Sequence, residues 1–254
     1  MRVLAIVSLV SFAAVGTVLG ARLLLLARRT RRFPELSLGL GLLLICALGH
    51  PFCAVGRLPG MFGTALGDSL FALGLGLCSS GIALLYAFTW RVFRPSERWA
   101  GFAVAGAWLL LAGFSAGLLR ASGQAGSLAE ILPLTRPFAV GIALSVGVAF
   151  LWTGVESWAH ARRLGRRLAL GLAEPVVLDR FKLWGTAGIA GAALCATIAG
   201  CLAAGMMVLH ESIPLALTAL AGIVASTCWT LAFVPPARYL RRVERQAEVA
   251  LRTA

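Results

Sequence analysis

Residues able to do chemistry are scarce in this chain: 254 residues hold three histidines, six cysteines, ten acidic residues and a single lysine, Lys182. His50, followed by Pro51, and His210 are the pair whose imidazoles could face each other and hold a metal or a haem iron. No carboxylate pattern accompanies them, so hydrogen-bonded interior histidines are the simpler reading, and neither a metal nor a haem is expected. Glu156 and His160 stand four residues apart, hence on one helical face. A carboxylate in such apolar surroundings needs a partner, and an arginine from a nearby basic segment is the ordinary one. Asp68 and Glu211 lie at the edges of apolar stretches, where water reaches them. Cys46, Cys53, Cys78, Cys195, Cys201 and Cys228 fall inside apolar stretches without CxxC spacing and read as small buried hydrophobes. Nucleophile elbows, phosphate-binding loops and zinc-protease motifs are absent, so no catalytic residue is assigned and an enzyme is not expected.

The elements that must position these residues follow from composition. Hydrophobic residues make up 59% of the chain, charged residues 13%, and the mean hydropathy is +0.89. A water-soluble globule is nearer 45–50% apolar and 25% charged, and a disordered chain is more polar still. A bilayer-crossing helix needs about 20 apolar residues. Seven stretches qualify, at 3–27, 36–55, 69–90, 99–119, 137–158, 181–209 and 213–234. Strand-like alternation is missing, which predicts an all-α, seven-helix transmembrane domain over 1–235 and an amphipathic tail over 236–254.

Charge sets the expected direction. Eighteen of the 23 basic residues fall after the first, third and fifth spans or in the tail, among them Arg28, Arg29, Arg91, Arg94, Arg162, Arg163, Arg166, Arg167 and Arg180. The positive-inside rule then places the N-terminus outside and the C-terminus in the cytoplasm. Arg22 lies inside the first span, close enough to its basic end to snorkel. Four arginines directly after that span predict an uncleaved anchor rather than a secretory signal. The net charge of +13 is explained by this topology and by an anionic inner leaflet, so no nucleic-acid partner is expected. The preference for Arg over Lys and the Ala/Gly/Leu richness point to a bacterial inner membrane.

Leu164, Leu168 and Leu172 recur among arginines and predict a short interfacial helix before Glu174-Pro175. In the tail, Leu240, Val243, Ala247 and Leu251 share one face opposite Arg241 and Arg245, suited to lipid or to a docked protein. Gly16/Gly20, Gly113/Gly117 and Gly185, Gly188 and Gly191 place small residues on single faces, where helices approach closely or copies of the chain associate. Pro51 is expected to kink or end the second span, opening an outer-half pocket that would involve His50, Asp68, His210 and Trp229. Contact with a cytoplasmic protein or with lipid is expected at Arg91, Arg94, Glu156, His160, Arg162, Arg163, Arg166, Arg167, Asp179 and Arg180.

Three resemblances bear on this reading. Seven helices with an outside N-terminus resemble rhodopsins and G-protein-coupled receptors in topology. Retinal is excluded by the lack of a lysine in the seventh span, and Thr89-Trp90-Arg91 and Pro236-Ala237-Arg238-Tyr239 depart from the receptor motifs. The similar basic exits of spans one and five resemble the triplet-linker-triplet plan of SWEET sugar transporters, without their Pro-Gln signature. Arg31-Arg32-Phe33-Pro34-Glu35, Trp90-Arg91-Val92-Phe93-Arg94-Pro95, Leu170-Gly171-Leu172-Ala173-Glu174-Pro175-Val176-Val177, Arg180-Phe181 and Leu183-Trp184-Gly185 resemble an uncharacterised family of bacterial seven-helix membrane proteins, which implies no activity. Scarce intramembrane charge and elaborated cytoplasmic segments favour a sensor or receptor-like protein for a small or apolar ligand. A facilitative carrier of a small neutral solute is the alternative, and an accessory subunit of a membrane complex the third.

Overall fold

The computed structural model describes residues 2–124, 128–206, 208 and 211–253, with side chains for 7–124, 130–206, 208 and 211–245. Among the described residues it is all-α, without strands, and has seven stretches long and apolar enough to cross a membrane. Helix α1 (Arg2–Thr30) is followed by α2 (Phe33–Leu42), a π-helical segment (Leu43–Gly49) and α3 (His50–Gly56), which together form the second span. Then come α4 (Ala65–Phe93), α5 (Arg98–Gln124), α6 (Leu128–Leu168), α7 (Pro175–Ala203), α8 (Ser212–Phe233) and the tail helix α9 (Ala237–Thr253).

Each span packs on its neighbours in sequence, and α1 closes the ring against α8. The order is a single circuit, not the two separate triangles that the similar basic exits evoke. α4 also reaches α6 across the ring, which pushes α5 outward and leaves Phe102 77% exposed on its outer side. Such side chains are what hydrocarbon, not water, would cover.

Glycine sets how closely these helices approach. A Cβ at Gly188 would lie 2.7 Å from Gly154 Cα, and one at Gly191 would meet the Phe150 ring, so the 185–188–191 ladder seats α7 on α6. Gly20 likewise abuts the backbone of Gly39. The Gly113/Gly117 face differs: Gly117 packs under Phe138, whereas a Cβ at Gly113 would meet nothing within 4 Å.

The boundaries of α6 and α7 depart most from the sequence expectation. α6 begins at Leu128, not at Pro137; it runs through Pro133 and Pro137, whose missing N–H groups lie one turn apart on one side. Its 41 residues span about 60 Å, twice a bilayer core. The predicted interfacial helix is absent because nothing in Ala161–Leu168 stops α6, which ends only where Gly171 turns left-handed (φ 70°). There Gly171 N–H donates to Leu168 O and Leu172 N–H to Arg167 O, satisfying the last carbonyls, and Pro175 opens α7. The same arrangement at Gly205 (φ 76°) ends α7 at Ala203, several residues before the expected 209.

Pro51 does not end the second span. The proline cannot donate and its ring would crowd the carbonyl four residues back. The preceding turn widens to a π-helix, in which His50 N–H donates to Ile45 O, and the helix continues.

Candidate functional site

Six of the seven spans converge on an internal cavity of about 30 Å³, room for roughly two waters. Phe12 and Leu19 of α1, Ile45 and Cys46 of the π-helical segment, Leu85 of α4, Phe150 of α6, Trp184 of α7 and Trp229 and Phe233 of α8 form its wall. Side-chain oxygens reach it only from Ser37 and Thr153, and both are spoken for. Ser37 donates to Pro34 O, and Thr153 shares a 2.6 Å hydrogen bond with Thr89 and contacts Ala149 O at 2.8 Å. The space is therefore apolar and aromatic in character.

This cavity lies toward the Arg-rich end of the bundle and draws on α1 and α6, whereas the sequence reading places a pocket in the opposite half. In that half, glycine closes the seam between α3 and α4. A Cβ at Gly74 would stand 2.6 Å from Cys53 N, and one at Gly56 would stand 2.6 Å from Gly67 O, so the α3 and α4 backbones meet with no space between them. Of the four residues expected there, Trp229 lines the cavity. His50 is exposed, edge-on to Phe12 with centroids 6.5 Å apart, while Phe12 lies 5.5 Å from Trp229. Asp68 is remote from them in an exposed 2.8 Å pair with Arg57, and His210 lies outside the described residues.

A ladder of polar contacts joins α4 to α6 beside the cavity. Tyr86 donates to Ser145 O at 2.6 Å, Thr89 meets Thr153, and Arg94 Nε donates to Glu156 Oε1 at 2.8 Å. Glu156 thus has the arginine partner that its setting demands. Its side chain is 7% exposed against 35% for Arg94, and Glu97 approaches the same guanidinium at 3.7 Å. Glu156 beside it holds the Arg94 guanidinium above its ordinary value, so the cation is permanent.

A second connection is aromatic. Trp184, on the cavity wall, packs on Phe233 and Phe88; Phe88 meets Phe93, and Phe93 meets both His160 and Phe181. His160 and Phe181 rings lie 4.4 Å apart. His160 is therefore seated in an aromatic cluster, one turn beyond Glu156.

The remaining residues expected at the basic end divide in two. Arg91 lies over the Trp90 ring at 4.5 Å, and Arg162, Arg163, Arg166, Arg167 and Arg180 are exposed. Asp179 accepts a 2.7 Å hydrogen bond from Tyr239 and ties α9 to α7. Burial, then the Asp179 carboxylate, pushes the Tyr239 phenol up to about 12. Thr153 and Phe88 were not singled out by sequence reasoning, and Thr89 and Trp184 entered it only within motif comparisons; the pairs Tyr86/Thr89 and Thr153/Glu156, each one helical turn apart in apolar spans, were the available signal.

No group of three or more metal-ligating side chains occurs among the described residues, and all six cysteines are free. Cys46, Cys195 and Cys201 are buried, while Cys53, Cys78 and Cys228 are partly open, less buried than the sequence suggests.

No family model, curated protein or solved structure matches the chain. The chemistry is accordingly read from the geometry alone.

Proposed function

We propose that this multi-pass membrane protein is a receptor-like sensor. A small apolar ligand occupies the central cavity, and the Arg-rich end contacts a cytoplasmic protein at a bacterial inner membrane. The observation that carries this reading is the cavity's apolar wall, linked to the basic end by two routes. Thr153 both lines the cavity and bonds Thr89, one turn from Glu156, and the rings from Trp184 to His160 form the other route. A ligand larger than the present space must displace these rings, which supplies the differential contact that a switch requires. Beside the cavity, among the described residues, the buried carboxylate of Glu156 is paired with Arg94 rather than left free for ion coupling.

The test is retention of ligand. Leu85→Phe puts a larger side chain at the cavity wall. Mass spectrometry of solvent extracts should find an apolar compound with purified wild type and little with the variant; equal extracts refute the reading. A facilitative carrier is the second reading, favoured by the π-helical hinge before Pro51. Proteoliposome flux of a small neutral solute, abolished by Leu85→Phe, would decide for it. Loss of a co-purifying cytoplasmic protein on replacing Arg162, Arg163, Arg166 and Arg167 by Ala would decide for the sensor.

A further inference from the structure

A groove of about 330 Å³ runs along the outside of α1 where it meets the end of α8. Its wall is Leu23, Leu25, Leu26, Arg22 and Arg29, completed by Leu19 and Phe233. The last two residues also line the central cavity, so groove and cavity share a wall there. Arg22 and Arg29, seven residues apart on one face of α1, are exposed, and neither side chain has an ion pair or hydrogen bond among the described residues. Arg22 stands eight residues inside the end of α1, about 12 Å into the span. A guanidinium at that depth must snorkel toward the basic end or find an anion, and two lining one apolar groove repel each other.

We propose that this groove binds one anionic phospholipid, its phosphate held by Arg22 and Arg29 and one acyl chain passing between Leu19 and Phe233 into the cavity. Charge complementarity selects an anionic head, and the leucine wall, open to the bilayer, selects a lipid over a soluble anion. Depth agrees with this, since the arginines lie toward the basic end and Leu19 lies deeper, as a head and its chain must. The acyl chain as cavity ligand rests on the sensor reading above; the headgroup site does not.

Native mass spectrometry of the full chain with equal phosphatidylglycerol and phosphatidylcholine of matched chains tests the headgroup site. About tenfold preference for phosphatidylglycerol is expected. It should be lost in Arg22→Gln/Arg29→Gln, largely kept in Arg22→Lys/Arg29→Lys, and unchanged in the control Arg166→Gln/Arg167→Gln. No preference in wild type, or an equal loss in the control, overturns the site. A phosphatidylglycerol with a photoreactive group at its chain end should label Phe12 or Trp229. Labelling confined to Leu25 and Leu26 with the preference intact would refute chain insertion while leaving the headgroup site standing.

Discussion

The two ends of the bundle each carry an arginine–carboxylate pair at 2.8 Å, and they do different work. Arg57 and Asp68 are eleven residues apart, join the ends of α3 and α4, and are 20% and 52% exposed. Arg94 and Glu156 are 62 residues apart, clamp α4 to α6 across the ring, and leave Glu156 almost closed to solvent. Equal distance does not mean equal energy. An exposed pair exchanges hydration for attraction almost evenly, whereas a buried carboxylate has no water to return to when its partner goes.

The sharpest way to break this contrast is Arg94→Ala. It strands the Glu156 carboxylate in the α4–α6 interface and should cost about 3 kcal/mol, the low end for a buried pair because Arg94 itself is partly exposed. Unfolding in mixed micelles followed by circular dichroism measures it. Glu156→Gln should cost clearly less, since the amide still accepts from Arg94 and the freed cation keeps Glu97 and solvent. If Glu156→Gln proves the more damaging, the pair is held for the charge of the carboxylate rather than for its burial.

Tyr239–Asp179, the tie between α9 and α7, is intermediate, and Tyr239→Phe should weaken tail docking by about 1 kcal/mol. Its pH dependence has a definite sign. A phenol whose folded value is raised keeps its full contribution below the ordinary value of about 10. That contribution falls as pH rises from there toward about 12. The chain has two tyrosines, so absorbance titration of Tyr86→Phe reads Tyr239 alone. Asp179→Asn should lower the midpoint without restoring 10, because burial is the larger cause. A midpoint already at 10 in the Tyr86→Phe protein would mean that α9 is undocked.

Thr153→Val removes the hydroxyl that bridges cavity and ladder. Hydrogen bonds between membrane helices average only about 0.6 kcal/mol, and Thr89 keeps Leu85 O at 3.0 Å as an alternative partner. A loss near that value is expected by the same unfolding measurement, together with tighter retention of apolar compounds, since valine adds a methyl to the wall.

What could be read in the chain follows from which forces act locally. Seven spans were legible because a bilayer crossing is a run of apolar residues with nothing else required, and the basic clusters mark their ends. Glu156 was legible as needing a cation, because a lone carboxylate in apolar sequence has few options. The continuation of α6 to Leu168 was hidden by its arginines, which mark a membrane edge but do not stop a helix. The π-helical turn before Pro51 was hidden because the same proline can end, kink or widen a helix, and neighbours decide. The cavity's position was hidden too: it depends on which glycines face another backbone, as Gly74 faces Cys53. Spacing names a glycine face without naming what lies against it.

The smallest effect completes the contrast between the two ends. Asp68→Asn should cost no more than about 0.5 kcal/mol. The carboxylate is more than half exposed, so water replaces most of what Arg57 supplies. Arg57 does not depend on the pair for its place, because its guanidinium lies 3.8 Å from the centroid of the Phe71 ring and also faces Phe62. That cation–π contact survives the substitution. Whatever difference remains should vanish in about 1 M salt, where the screening length is about 3 Å, while the cost of Arg94→Ala should hardly change. Equal salt sensitivity at both ends would show that Glu156 is reached by solvent and that the two pairs are of one kind.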